Sequence, residues 1–104
     1  MTNPREILRA KLNLETARVA WPELERHFAR GVVIKVSASV DLVDAALQFA
    51  ENDTAAVQAL LADARLARAD LADAEDWHAR QPVFWAVVVA PWVLIQESTS
   101  GTDS

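Results

Sequence analysis

The sequence contains no cysteine and only two glycines, and each shortage removes whole classes of site. Without cysteine there is no disulfide framework, no thiolate nucleophile and no cysteine-ligated zinc. Gly31 and Gly101 cannot supply a phosphate-binding loop or a dinucleotide fingerprint. No hydroxyl residue lies in a Gly-x-Ser-x-Gly elbow. The sequence therefore offers no motif for nucleotide binding or nucleophilic catalysis.

Positive charge is also scarce. The net charge is −5, whereas proteins that bind nucleic acids or anionic membranes present basic surfaces. The nearest approach is Arg5, Arg9 and Lys11, a group more typical of a solvated helix face. The N-terminus has no signal-peptide pattern, and the longest apolar run is too short to span a bilayer as a helix. We therefore expect a cytoplasmic protein without nucleic-acid or membrane partners.

A chain of 104 residues with 52% hydrophobic residues predicts one globular domain, which we place at 1–97. The small polar residues 98–104 are expected to form a disordered tail. The fold class is α+β: a two- or three-stranded sheet packed by four to five helices. The strands are predicted at about 32–37 and 83–96, which are expected to pair with each other, with a short third candidate at 65–68, where charged and apolar residues alternate. The helices are predicted at about 4–12, 22–30, 42–51, 55–64 and 71–79. Asn3, Asp41 and Asp70 are predicted to cap helix starts, and Gly31 is predicted to end the second helix. Residues 13–20 either continue the first helix or form a short extended connector.

The last apolar run, from Val83 to Ile95, is the most informative stretch. Both faces of a strand with this sequence are apolar, so it needs cover on both sides. Pro91 is expected to bend or bulge one continuous strand, because it cannot donate a ladder hydrogen bond. Either helices cover both faces, or a second copy covers one face and an edge. We favour a homodimer, since symmetric dimers are the commonest oligomers and an uncovered strand promotes aggregation. The predicted interface side chains are Trp85, Trp92 and Val93.

Two histidines are present, and neither lies in a strong site pattern. His27 follows Glu23 by four residues, a spacing that suits an oriented base but more often gives a plain surface pair. Glu75 and His78 make one Glu-x-x-His, whereas metal sites in helical bundles need two such motifs and further glutamates. We therefore expect no metal, no cofactor and no catalytic residue, and we lean toward a protein that is not an enzyme.

A polar cluster follows the first predicted helix. Asn13, Glu15 and Thr16 lie between apolar residues, ahead of Trp21. These side chains, with His27, are candidates to bind a ligand or a partner chain. The more common role of such residues is to satisfy backbone groups where a helix ends.

Gln96 and the tryptophans leave a similar choice open. Gln96 ends the apolar run and is either a buried amide that needs partners or the first residue back in solvent. The four tryptophans can form an aromatic ligand cage, but residues of this kind are more often core or interface anchors.

Many of these residues together resemble a family of short bacterial proteins known only as a domain of unknown function. The resemblance extends from Leu8 to Gln96, and the closing Pro-Trp-Val-Leu-x-Gln is its most specific part. It implies a bacterial, single-domain, cytosolic protein and transfers no activity, cofactor or site. The residues that carry it are Lys11-Leu12-Asn13, Glu15-Thr16-Ala17, Trp21, Glu23-Leu24, Phe28-Ala29, Gly31-Val32-Val33, Asp41-Leu42-Val43, Trp85, Val88-Val89, Pro91-Trp92-Val93-Leu94 and Gln96.

Two hypotheses of function follow. The first is a non-enzymatic, homodimeric interaction or regulatory module, suggested by the apolar C-terminal run and the missing catalytic motifs. The second is a small-molecule-binding protein or small enzyme whose pocket lies near Asn13, Glu15, Thr16 and Trp21, with an unknown ligand.

Overall fold

The computed structural model describes residues 3–98, and in this range short helices and short strands follow one another. The helices are α1 (Pro4–Glu15), α2 (Trp21–Ala29), α3 (Leu42–Ala50), α4 (Thr54–Ala62) and α5 (Leu71–Arg80). The strands are β1 (Ala17–Ala20), β2 (Val33–Val36), β3 (Leu66–Arg68), β4 (Val83–Val89) and β5 (Trp92–Glu97). The α+β class is confirmed, but the sheet has five strands instead of the two or three that were predicted.

Short polar side chains fix where the helices begin. Asn3 accepts a hydrogen bond from the Arg5 N–H at 2.8 Å, and Asp70 accepts one from the Asp73 N–H at 2.9 Å. Such caps satisfy the backbone N–H groups that a helix start leaves without partners. Gly31 ends α2 with φ +74°, a conformation that side chains with a Cβ rarely adopt.

The strand order is β1-β4-β5-β2-β3, so β5 lies at the centre of the sheet. β5 runs parallel to β2, with Val33 opposite Val93, and the other pairs are antiparallel. The predicted pairing of the last strand with the strand at 33–36 is therefore present. The short candidate strand at 65–68 is β3, at one edge of the sheet.

The prediction of one continuous strand at 83–96 is wrong, because the run folds into the hairpin β4–β5. Ala90 and the cis-linked Pro91 form its tip, with Val89 opposite Trp92. Reversing the chain changes which side chains share a face. Phe84 lies on the same face as Val93, whereas one continuous strand would have placed them on opposite faces.

The open choice at residues 13–20 is resolved by a longer α1 followed by a paired strand. Thr16 ends α1, and β1 then pairs antiparallel with β4 from Ala17 opposite Ala86 to Ala20 opposite Val83. This strand was not predicted as part of the sheet. It forms the edge opposite β3.

Helices of the same chain cover both faces of the sheet. α2 and α5 bury one face through Trp21, Leu24 and Trp77, while α1, α3 and α4 pack on the other. The apolar C-terminal run therefore finds most of its cover within its own chain. Val93 is only 4% exposed, which corrects its prediction as an interface side chain.

The predicted tail begins one residue too early. The Ser98 N–H donates to the Val83 carbonyl at 2.8 Å, so Ser98 continues the pairing of the hairpin. The rest of the predicted tail, 99–104, lies outside the described residues. No helix within residues 3–98 combines the length and apolar character needed to cross a membrane.

Candidate functional site

The five residues predicted to line a pocket do not meet in one place. Trp21 is 3% exposed and packs on the α2–α5 face, with its ring centroid 5.6 Å from that of Trp77. Asn13 and Thr16 lie across the sheet, beside α3. His27 is half-buried on α2, and Glu15 is exposed at the end of α1. The predicted pocket is therefore not formed, although two of its residues share a different cavity.

That cavity, which we call the α1–α3 groove, lies where α1 ends and α3 begins, above β4 and β5. Its volume is about 310 Å³. It combines two amides, a hydroxyl, a carboxylate and an indole with two aliphatic side chains. The residues that line it are Asn13, Thr16, Asp41, Leu42, Val43, Trp85 and Gln96.

Asn13 and Thr16 are positioned by the last turn of α1. The Thr16 N–H donates to the Asn13 carbonyl at 3.3 Å, and the Thr16 hydroxyl donates to the Leu12 carbonyl at 2.8 Å. These bonds satisfy carbonyl groups that the helix end leaves open. Thr16 thus has the helix-ending role that the sequence favoured, and it also lines the groove.

Asp41 is the N-cap of α3. Its Oδ1 accepts from the backbone N–H of Val43 at 2.9 Å and of Asp44 at 3.1 Å. Its Oδ2 lies 3.9 Å from an Nη of Arg9, and Arg9 also forms a closer ion pair with Asp44. One carboxylate oxygen of Asp41 therefore holds the helix start, and the other is only weakly paired.

Gln96 lies beneath the groove near the end of β5. Its Nε2 donates to the carbonyl of Ser37 at 2.8 Å and to that of Val40 at 2.6 Å. Of the two alternatives left open by the sequence, the amide with partners is confirmed. The two bonds hold the chain between β2 and α3 and fix the orientation of the amide.

Trp85 forms the aromatic wall of the groove. Its neighbour across the β1–β4 pair is Arg18, whose guanidinium carbon lies 4.8 Å from the centroid of the Trp85 ring. Trp85 was predicted as an interface anchor and is 36% exposed. Trp92, predicted for the same role, is half-buried and has the guanidinium of Arg68 over its ring at 5.3 Å.

Sequence reasoning found Asn13, Thr16, Trp85 and Gln96 separately but missed that they meet. Asp41 was expected only as a helix cap. What unites them is the pairing of β1 with β4, which brings the end of α1 over Trp85. No periodicity in the sequence indicated that pairing.

A second cavity, of about 380 Å³, lies between α2 and α5. Trp21, Phe28, Glu75 and His78 contribute to its lining, so the Glu-x-x-His pair faces this space. Within residues 3–98, no three side chains of metal-ligating type come together to hold an ion. The Trp21 indole N–H is buried and has no hydrogen-bond acceptor in the same range.

Charged side chains fasten α5 at both ends. Arg80 bonds Asp76 at 2.7 Å and Glu97 of β5 at 2.8 Å, and its hydrogen bond lowers the pKa of Asp76 below the usual range. The Asp76 and Glu97 carboxylates raise the pKa of Arg80. The backbone hydrogen bond from Asp73 lowers the pKa of Asp70. These carboxylates stabilise α5 in their ionised form.

The fold and groove define a small α+β protein with helices on both faces of its sheet, and comparison with known proteins places it in a family. The family model described as "Protein of unknown function (DUF2288)" matches residues 7–97, so the chain belongs to this family. The resemblance to an uncharacterised family is thereby confirmed.

One solved structure is closely similar. It is the NMR solution structure of PA1075 from Pseudomonas aeruginosa, at 44% sequence identity and a TM-score of 0.80. The match covers 97% of this chain and 94% of that one. No curated protein matches the sequence.

Proposed function

We propose that this chain is a non-enzymatic, homodimeric interaction or regulatory module whose two copies join along the β1 edge of the sheet. The observation that carries the proposal is that β1 is an outer strand: within residues 3–98, it pairs with β4 and with no other strand. An outer strand presents a row of backbone donors and acceptors that another strand can pair with.

The edge extends beyond β1 itself. β1 begins opposite Ala86, whereas β4 runs on to Val89, so residues 87–89 have no strand beside them on this side within the described range. Val88 is 58% exposed there. Leu14, in the last turn of α1 before β1, is exposed as well. Apolar side chains therefore flank the open strand, as a stable interface requires.

The opposite edge is less suited to pairing. β3 has three residues, of which Arg68 is charged, and Arg65 directly precedes the strand. Charged side chains on a short edge strand commonly prevent it from pairing with a strand of another chain. β1 has four residues and, like β3, one charged residue, but the guanidinium of that residue, Arg18, lies over the ring of Trp85. The comparison of the two edges supports β1 as the self-interface.

A twofold axis beside β1 would pair it antiparallel with its copy and join two five-stranded sheets into one. Such an interface is self-complementary, because each copy supplies the same strand. Four backbone residues bury less than the about 800 Å² per partner of a standard interface. We expect Leu14 and Val88 to supply part of the remaining contact. We expect no nucleic-acid or membrane partner, because the net charge is −5. We place the module in the cytoplasm, since a sequence without cysteine fits a reducing compartment.

The test is the mass in solution across a concentration series, measured by sedimentation velocity. Val88→Asp puts a charge on the edge, while the control Leu71→Asp puts the same charge on a residue of α5 that is 68% exposed. We expect a dimer for the unmodified chain and the control, and a monomer for Val88→Asp. A monomer for the unmodified chain at every concentration, or a dimer that Val88→Asp leaves intact, would contradict the β1-edge proposal.

A further inference from the structure

We propose that the α1–α3 groove binds a small organic cation of the amidinium or guanidinium class. The cation would place its flat group against Trp85 and donate N–H groups to Asp41 and Gln96. This site is separate from the homodimer proposed above, since it needs no residue from a second copy.

The argument begins with the hydrogen-bonding capacity of Gln96. A side-chain amide has two N–H donors and one carbonyl oxygen. Both donors are engaged, by Ser37 and Val40. Gln96 lines the groove, and with both amide hydrogens engaged the group that it can offer a ligand is its Oε1. The amide therefore offers the groove an acceptor and no donor.

Asp41 and Thr16 have the same imbalance. The cap bonds use the Oδ1 of Asp41, which leaves Oδ2 with the guanidinium of Arg9 at 3.9 Å. The Thr16 hydroxyl donates its hydrogen to the Leu12 carbonyl, and the lone pairs of its oxygen remain available as acceptors. The helix-end roles of Asp41 and Thr16 thus use only part of their hydrogen-bonding capacity. The atoms that remain are acceptors, and Asp41 carries a negative charge.

A ligand that complements this set must donate several hydrogen bonds and carry positive charge. Hydrogen bonds between an ionised donor and a carboxylate are about twice as strong as neutral ones. An anion would face the Asp41 carboxylate, and of the lining residues only Asn13 and Trp85 retain N–H groups that could donate to it. The net charge of −5 also favours the approach of a cation over that of an anion.

Trp85 adds the preference for a flat cation. The guanidinium of Arg18 lies 4.8 Å from the centroid of its ring, which shows that this indole contacts a planar cation, and a ligand would contact the part of the ring that lines the groove. The groove volume of about 310 Å³ is at the lower end of the range for ligand pockets, so we expect a small ligand such as a single ring with an attached amidinium. A planar guanidinium-type cation stacks on an aromatic ring and presents N–H donors in a fixed fork, whereas an ammonium ion is a compact point charge.

The probe is benzamidine, titrated into the isotope-labelled protein and followed by two-dimensional NMR. We expect saturable shifts of the Trp85 indole, the Gln96 amide and the Thr16 backbone. Benzamide has the same ring without the charge, and we expect it to bind at least about tenfold more weakly, from the loss of about 1.4 kcal/mol. Asp41→Asn retains a good helix cap and removes the carboxylate, so we expect an affinity loss of about tenfold there as well.

The matched control is Asp53→Asn, the same change at the N-cap of α4, which lies outside the groove. It should leave the affinity unchanged. Three results would overturn the proposal: no saturable shift at about 20 mM benzamidine, benzamide binding as well as benzamidine, or equal weakening by the two substitutions. Sedimentation of the same samples measures dimer formation separately from benzamidine binding. Failure of the groove proposal is therefore distinguishable from failure of the homodimer proposal.

Discussion

Replacing Phe84 with alanine removes the largest of the fully buried side chains and tests whether the chain covers its own hairpin. Phe84 is 1% exposed on β4, and its ring meets that of Trp77 on α5 edge-on, with the centroids 5.0 Å apart. A buried phenylalanine truncated to alanine costs about 3–5 kcal/mol, because transfer free energy is lost and a cavity is left. An edge-to-face ring pair accounts for about 0.5–1.5 kcal/mol of that loss.

The control lies on the same strand. Val83 directly precedes Phe84 on β4 and is 45% exposed, so Val83→Ala should change the free energy of unfolding by less than about 1 kcal/mol. Urea denaturation of the three proteins, followed by circular dichroism, gives the free energy of unfolding of each. A domain of this size has about 5–15 kcal/mol in all, so Phe84→Ala should remove a large share of it.

Protein concentration distinguishes cover by α5 from cover by a partner. If α5 covers Phe84, the difference between the unmodified chain and Phe84→Ala is the same at low and high concentration. A difference below about 1 kcal/mol, or one that grows with concentration, would refute cover by the chain's own helix.

Three further predictions concern caps, backbone and acid. In urea denaturation, Asp41→Ala should destabilise the fold by about 1 kcal/mol and Asp41→Asn by much less, because asparagine can replace the lost cap and alanine cannot. Equal losses in the two variants would contradict the cap role. Gly31→Ala should cause no steric clash, since no atom beyond the neighbouring residues lies within 4 Å of the new Cβ. It should still lower the free energy of unfolding by about 1 kcal/mol in thermal denaturation, because alanine is strained at a φ of +74°. A stabilised variant would count against that conformation. Hydrogen bonds lower the pKa values of Asp70 and Asp76 in the folded protein, so both carboxylates stabilise the fold when they are ionised. This stabilisation is complete above their ordinary pKa near 4 and is lost as the pH falls through the lowered values. Stability measured from about pH 5 to 2 should therefore fall, and less steeply in Asp76→Asn, whereas an unchanged slope would contradict the role of the Arg80 hydrogen bond.

The helices were predictable because their signals are local. Asn3, Asp41 and Asp70 begin helices where capping residues were recognised, and Gly31 ends α2 as expected. The short strand β3 was also recognised, from alternation around Arg65 and Arg68. These features depend on a few neighbouring residues, and a single sequence contains that information.

The sheet was less predictable because strand pairing is not local. Residues 17–20 have no distinct alternation, and they are a strand because β4 offers partners 63 to 69 positions away. The hairpin was missed for a different reason. Val83 to Ile95 is apolar throughout, so nothing in hydrophobicity marks the tip at Ala90 and Pro91.

The groove could be predicted only in parts. Thr16 and Gln96 were recognised as polar residues that need partners, but Trp21 was grouped with Thr16 because the two are near in sequence. β1 separates them, since it passes along the edge of the sheet and leads α2 onto the opposite face. Which face a residue reaches depends on that crossing, and the sequence contains no local mark of it.

The most direct measurement of the proposed homodimer is an isotope-filtered NMR experiment on a mixture of labelled and unlabelled chains. Such a spectrum reports only contacts between copies. If the copies join along β1, contacts should appear between Arg18 or Val19 of one copy and the same strand of the other, with further contacts from Val88. Intermolecular contacts confined to β3 or to the helices, or none at concentrations where the mass is that of a dimer, would contradict the β1-edge interface.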